Sequence, residues 1–349
     1  MQASKGYGVT SPEAALGPLE FTRRAVGPRD IQLEILYCGV CHSDIHQVRD
    51  EWGGTMYPII PGHEIIGRVT AVGAEVSKFR LGEVAGVGCM VDSCRQCDHC
   101  RAGLEQYCEG TITWTYNSPD KKNDGRQTMG GYSSNFVVDE DFAVKIPENL
   151  ELSSAAPLLC AGITTYSPLR HWKVGPGQRV GVVGLGGLGH MAIKFANAFG
   201  AQVTLFTTSP DKAADAHRLG ADDVVISKDA DAMAAHRGQF DFILDTVAAQ
   251  HTLAPYLDLL KLDGTLIMVG LPSEPLPVNV FSIATQRRTL AGSSIGGIRE
   301  TQEMLDYCAD HGISCDIELI PIQDVNNAYE RMIKGDVKYR FVIDMASLK

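Results

Sequence analysis

The sequence predicts a two-domain α/β protein, a small β-barrel or sandwich joined to a doubly wound parallel sheet covered by helices. Three observations predict it. From about Ala25 to Val144, short β-rich runs are divided by glycine and proline. From Arg179, apolar strands alternate with helical segments. At the first strand-to-helix turn of that second region stands a glycine cluster, Gly184-Leu-Gly186-Gly187-Leu-Gly189.

The elements follow in order. "IQLEILYCGV", "IIGRVTAVGAEV", "GEVAGVG" and "NFVVDEDFAVKIP" read as strands of the first region. "SSAAPLLCAGITTYSPLRHW" reads as helical, with Ser153 or Ser154 as its N-cap. "RVGVVGL" is an apolar strand and "HMAIKFANAFG" a helix closed by Gly200. "AQVTLFT" is the next strand, and "DKAADAHRLG" a helix with Ser209 as N-cap and Pro210 at its first position. "DDVVIS", "FDFILDTV", "GTLIMVG" and "RTLAGSS" are further strands. The tail holds an amphipathic helix, "TQEMLDYCADHG", a second around "DVNNAYERMIKG", and a closing strand, "YRFVIDM".

Composition excludes several functions. The 349 residues are 44% hydrophobic and 21% charged, enough for two globular domains with substantial cores. A net charge of -11 argues against nucleic acid or an anionic membrane as partner, since both select a basic face. The N-terminus "MQASKGYGVT" shows no signal-peptide pattern, and no apolar run is long enough to span a bilayer. Ten cysteines without a secretory signal point to a reducing, cytoplasmic setting in which clustered cysteines bind metal.

The glycine turn matches G-x-G-x-x-G between a strand and a helix, the context of a dinucleotide site. Gly184 makes the tight turn, Gly186 lets a pyrophosphate approach the backbone, and Gly189 seats the helix on the strand. With Gly187 and Leu188 they form the candidate phosphate cradle at a helix N-terminus. The end of the second strand selects the cofactor. An NAD site places a carboxylate there for the ribose 2′-OH. Here stand Thr207, Thr208 and Ser209, with Lys212 just beyond. Hydroxyls and a cation suit a 2′-phosphate, which predicts NADP(H). The alternative is that Thr208 and Ser209 simply cap the next helix.

The stretch "CRQCDHCRAGLEQYC" carries Cys94, Cys97, Cys100 and Cys108 at C-x2-C-x2-C-x7-C spacing. Four thiolates suit a closed, structural zinc site. An iron–sulfur run would continue x3-C-P, and here Glu109 follows the fourth cysteine. Asp98 and His99 are then solvated loop residues. Upstream, "CGVCHSDIH" and "PGHEIIG" offer Cys38, Cys41, His42, Ser43, Asp44, His46, His63 and Glu64. A catalytic zinc takes three protein ligands and an open position. Spacing alone does not choose among these residues.

In this order, "GVCHSD", "PGHEIIGRV", the four-cysteine loop, "LLCAGITTYSPL", "GLGGLGH" and "KYRFVID" run over nearly the whole chain. Together they resemble the zinc-dependent medium-chain alcohol dehydrogenases, in the cinnamyl alcohol dehydrogenase branch, nearest to its bacterial broad-range NADPH-dependent aldehyde reductases. The resemblance implies a GroES-like β-barrel catalytic domain over 1–154, a Rossmann domain over 155–294, and a return to the first domain over 295–349. It implies a catalytic zinc on Cys41, His63 and Cys160, with Glu64 as an alternative ligand and Asp44 orienting His63. It implies a structural zinc on Cys94, Cys97, Cys100 and Cys108, so two zincs per chain. Ser43 and His46 would relay protons. Cofactor contacts would include His42, Thr164, Thr246, Val269, Gly270, Ser293, Ser294 and Ile295, with Arg340 on the pyrophosphate. Trp52 and Trp114 are candidates for a wall of the substrate pocket, or for plain packing. Cys38 and Cys89 match no ligand position and are read as core residues.

The implied activity is reversible reduction of aromatic and aliphatic aldehydes to primary alcohols, in a cytoplasmic homodimer. Two other readings are an NAD-linked polyol dehydrogenase, which an acid at the second strand's end would favour, and a non-catalytic zinc or nucleotide sensor of the same fold.

Overall fold

The computed structural model describes residues 2–272 and 274–349. Its contacts form two units: the residues up to Ile163 together with those from Gly296 onward, and Thr164–Ile295. The first break falls later than the expected 154/155. The segment after Ser153 stays with the first unit because Leu158 and Leu159 are buried, with Leu159 against Gly86 and Gly88.

The first unit is built on a seven-stranded sheet. Its order is Val144–Lys145, Val84–Val87, Ile65–Val72, Asp30–Gly39, Arg340–Asp344 and Ile317–Pro321, with Asn135–Asp139 also pairing with Asp30–Gly39. Asp30–Gly39 is central because Ile31, Leu33, Ile35 and Cys38 are all buried. The closing strand returns antiparallel to it, with Val342 opposite Gly39 and Ile343 opposite Cys38. That register brings the tail's Arg340 to the "PGHE" segment.

Two expectations about the helical segment change. The short helix Leu152–Ala155 is capped by Glu151, whose carboxylate accepts from the Ser153 and Ser154 N–H groups. A carboxylate at a helix N-terminus is favoured by the dipole as well as by hydrogen bonding. One long helix is also not formed. Pro157 sits in the 3-10 turn Ala156–Leu159, and the α-helix restarts at Ala161–His171. Cys160 lies at this break, off the helical conformation at φ −131°, ψ −66°.

The second unit is a six-stranded sheet in the order Asp223–Ile226, Gln202–Thr207, Arg179–Val183, Phe240–Asp245, Leu260–Met268 and Thr289–Gly292. Every pairing is parallel. Chain order reverses at Arg179–Val183, the switch point where such sheets place ligands. Phe206, Phe240, Ile243, Leu257, Leu260 and Leu266 fill one face. Phe206 and Phe240 meet edge to face at 5.3 Å, which adds about 0.5–1.5 kcal/mol beyond their burial. Among the described residues, no helix is long and apolar enough to cross a membrane.

Candidate metal centres and nucleotide turn

Three separate segments bring Cys41, His63, Glu64 and Cys160 together, with one ligand atom of each within 4.8 Å of the others. Cys41 precedes the helix His42–Val48, and its backbone N–H donates to Asp44 at 2.9 Å. His63 and Glu64 end the loop before the strand Ile65–Val72. Cys160 comes from the break after Pro157, its sulfur 3.9 Å from that of Cys41. All four are buried.

Asp44 organises the cluster. Fully buried, it accepts from the Gly62 N–H at 3.1 Å and from the Tyr132 hydroxyl at 3.2 Å. His63 Nδ1 donates to it at 3.1 Å, leaving the Nε2 lone pair for a metal. Tyr132 was not singled out in the sequence, and nothing local marks it. Arg340, which the family resemblance sets on the pyrophosphate, is only 3% exposed and ion-paired to Glu64 Oε1, two buried charges in contact. Glu64 fits there because residue 39 is glycine; a Cβ on Gly39 would stand 1.8 Å from Glu64 Oε2.

The electrostatics suit a cation. A hydrogen bond from Cys160, with Arg340 and His63 nearby, holds the Cys41 thiol well below its usual value against the opposing effect of burial. The Cys41 and Cys89 sulfurs and burial push Cys160 well above it. Burial raises Glu64 to about 7 despite Arg340. Glu64 Oε2 is buried with no hydrogen-bond partner. Two thiols, one oriented imidazole and an orphaned carboxylate oxygen are a zinc donor set.

The second cluster is local. Cys94, Cys97, Cys100 and Cys108 also place their sulfurs within 4.8 Å. Backbone N–H groups donate to them: Cys97 to Cys94 at 3.3 Å, Cys100 to Cys97 at 3.5 Å, Cys94 and Gly110 to Cys108 at 3.4 and 3.3 Å. The N–H groups of Gln96 and Cys97 bring Cys94 down to about 6. Burial pushes Cys100 up to about 12. Four sulfurs cradled by amides fit a closed zinc site. Asp98 points to Arg101 and His99 to the Tyr107 carbonyl, so neither joins it. None of the ten cysteines is in a disulfide. Cys38 is fully buried; Cys89 is only half-buried, its thiol 3.9 Å from the Leu159 carbonyl, and so is not a core residue.

Around the buried cluster, the Ser43 hydroxyl lies 3.6 Å from the Cys41 sulfur. His46 pairs through Nδ1 with Glu51, a residue that the sequence reading passed over, and stacks on Trp52 at 4.9 Å. His42 is exposed, its ring 6.3 Å from that of His46. Trp52 and Trp114 are 41% and 39% exposed, which excludes plain core packing for both.

In the second unit, Gly184 has φ +88° and a Cβ on Gly189 would stand 2.0 Å from the Gly184 carbonyl, so both positions require glycine. A Cβ on Gly186 would meet nothing within 4 Å, leaving open room above the backbone. The helix Gly189–Ala198 starts there. Ser209 does not cap with its side chain: a 3-10 turn, Pro210–Lys212, intervenes, and the Ser209 N–H donates to the Thr207 hydroxyl at 3.2 Å. Thr208 is exposed. Lys212 Nζ reaches back to the Leu185 carbonyl at 2.9 Å, which places its charge at the glycine turn. Thr246 donates to the Val183 carbonyl at 2.7 Å, and the Val269 and Gly270 N–H groups bond the Asp245 carbonyl. Thr164 is buried in Ala161–His171; Ser293 donates to the Met268 carbonyl, Ser294 is exposed, and Ile295 has φ +37°.

Comparison with known proteins gives one answer. The family described as "Alcohol dehydrogenase GroES-like domain" matches residues 27–148, and "Zinc-binding dehydrogenase" matches 187–310. The chain is 58% identical over 346 residues to Aldehyde reductase YahK of Escherichia coli, covering 99% of both chains. It is 54% identical to NADP-dependent alcohol dehydrogenase C 1 of Mycolicibacterium smegmatis over 100% of both. Among solved structures it is similar to a cinnamyl alcohol dehydrogenase of Sorghum bicolor, at TM-score 0.97 and 46% identity, covering 100% of this chain and 99% of that one. It is also similar to the cinnamyl alcohol dehydrogenase of Helicobacter pylori complexed with NADP(H), at 0.94 and 44%, with the same coverage. With its two donor clusters and its glycine turn, the chain belongs to the zinc-dependent medium-chain alcohol dehydrogenase family, in the cinnamyl alcohol dehydrogenase branch.

Proposed function

We propose that the protein reduces aldehydes, aromatic and aliphatic, to primary alcohols with NADPH, and runs the reverse oxidation. The observation that carries this is the buried Cys41, His63, Glu64 and Cys160 cluster with its orphaned carboxylate oxygen. When bound, zinc on Cys41, His63 and Cys160 supplies Lewis-acid polarisation of a carbonyl, and NADPH supplies the hydride. Asp44 keeps His63 in the tautomer that ligates. Ser43 is the hydroxyl at the cluster that hands a proton to the product oxygen. His46, oriented by Glu51, exchanges that proton with water. Exposed Trp52 and Trp114 offer apolar faces to an aromatic or long-chain aldehyde.

Thr207, Thr208, Ser209 and Lys212 would receive the 2′-phosphate, and the Gly184–Gly189 turn the pyrophosphate. Lys212 already faces that turn, and no carboxylate ends the strand Gln202–Thr207. For the four-cysteine loop we assign a structural zinc. We also read the chain as a cytoplasmic homodimer. Ten cysteines without a disulfide support the reducing compartment. The edge strand Thr289–Gly292 and the exposed Val280 and Phe281, at 69% and 77%, support an interface between copies. A monomer by light scattering, or recovery in a secreted fraction, removes those two readings.

Loss of NADPH absorbance with cinnamaldehyde tests the function, with NADH in parallel. Turnover with NADPH well above NADH is expected. Faster turnover with NADH overturns the 2′-phosphate assignment, and no turnover in protein carrying two zincs favours a narrower substrate or the sensor.

A further inference from the structure

His251 is used neither by the metal centres nor by the residues assigned to the cofactor. It lies at the end of the segment Thr246–His251, which leaves the strand Phe240–Asp245 beside the glycine turn. Both ring nitrogens are engaged. Nδ1 is 2.8 Å from the Ala249 carbonyl, and Nε2 is 2.7 Å from Asp245 Oδ2. A carbonyl only accepts, so Nδ1 carries a proton. A carboxylate at Asp245, whose other oxygen accepts the Val247 N–H at 3.0 Å, also only accepts, so Nε2 carries one too. The arrangement is complete only for the imidazolium.

The segment so held is a wall of the nucleotide turn. Thr246 donates to the Val183 carbonyl, and Val247 lies 2.9 Å from where a Gly184 Cβ would stand. A Cβ on Gly270 would meet the Val247 carbonyl oxygen at 2.3 Å. Asp245 is fully buried. The strap Asp245–His251 therefore sets where Val247 and Thr246 stand against Gly184 and Gly270.

We propose that His251 is a positioning residue for NADP(H): as imidazolium it clamps the Thr246–His251 segment onto the phosphate turn, and loss of its proton loosens cofactor binding. This rests on reading the Gly184–Gly189 turn as the nucleotide site. Among the described residues, the titratable groups facing His251 are Asp245 and Tyr256, whose ring meets it edge-on at 6.2 Å. The Tyr256 phenol is held above its usual value by burial, so it stays neutral across the range. The Asp245 hydrogen bond raises His251 above its usual value, against partial burial, so the clamp keeps its charge to a higher pH than a free imidazole would and opens as pH rises past the raised value.

The experiment is NADPH affinity by fluorescence titration from pH 6 to 9 on the zinc-loaded full chain, wild type beside His251→Gln. Gln can donate to Asp245 but does not titrate. Wild type should bind at least roughly tenfold more weakly at the alkaline end, the size of losing one charge-assisted hydrogen bond. His251→Gln should lack that pH-dependent component. Equal pH profiles in the two proteins, or a flat wild-type profile, overturn the proposal. Absence of NADPH binding at every pH instead overturns the nucleotide-site reading on which it rests. Should His251→Gln not fold, histidine ring NMR of wild type decides: one histidine must titrate above 6.5 and respond to NADPH, and a set of ten that all titrate at or below it sinks the clamp.

Discussion

The two donor clusters of the first unit hold their sulfurs in opposite ways. In the Cys94–Cys108 loop, all four donors come from fifteen consecutive residues, and the loop's own amides point at the sulfurs. In the other cluster the donors come from three segments spanning Cys41 to Cys160, and side chains hold them: Asp44, itself bonded by Tyr132, and Arg340. The local loop has four sulfurs and no spare donor. The assembled cluster has a carboxylate oxygen with no partner. The difference is the one between a staple and a working site. A closed thiolate set completes a metal's coordination, whereas three ligands beside an unpartnered carboxylate oxygen leave a position for substrate.

Substitutions should separate the two roles. The largest effect is expected from Cys41→Ala, which should lower kcat with cinnamaldehyde by about a thousandfold, the scale of losing several kcal/mol of charge stabilisation, while melting changes little. A variant that keeps wild-type turnover removes the catalytic assignment. Cys97→Ala should do the reverse: melting falls by roughly 10 °C as a structural ion is lost, and the folded fraction keeps turning over. Equal melting temperatures would mean the loop is no staple. Asp44→Asn leaves the ligands in place but loosens His63; competition with a chelator should show zinc affinity at one site reduced about 10–100-fold, with the other zinc held as before.

The smallest effect concerns how the loop is anchored. Arg95, between two of its cysteines, pairs with Asp139 at 3.0 Å, and Lys122 bonds the same carboxylate. Burial would raise Asp139, but the bonds from Lys122, the Asp141 N–H and Arg95 outweigh it and bring it to about 2. The folded value is below the unfolded one, 3.8, so this contribution is present above pH 3.8 and is lost as pH falls toward 2. Asp139→Asn should cost about 1 kcal/mol at pH 7, after allowance for solvent screening, and progressively less as pH falls from 3.8 to about 2. Identical denaturant midpoints at pH 7 would show that the anchor contributes nothing.

The same contrast explains what could be read in the sequence. The four-cysteine loop and the glycine turn are legible because each residue's role is local: spacing places the sulfurs, and Gly184 and Gly189 answer to a positive φ and a 2.0 Å approach. The parallel sheet is legible because its strands are apolar runs divided by helices. The assembled cluster was reachable only through family resemblance. It depends on Pro157 interrupting a helix at Cys160, and on the register that sets Val342 opposite Gly39 and carries Arg340 to Glu64. No local pattern encodes those meetings. Tyr132 on Asp44 went unread for the same reason, whereas Glu51 beside His46 and Glu151 as a helix cap are local contacts that the sequence reading passed over.

The most direct test of the two-site account is zinc content measured by mass spectrometry beside NADPH-dependent cinnamaldehyde reduction, as a chelator withdraws metal. The account predicts two zincs per chain, with activity vanishing as the Cys41–His63–Cys160 zinc leaves and surviving while only the loop zinc is lost. One zinc per chain, or activity that follows the four-cysteine loop, would contradict it.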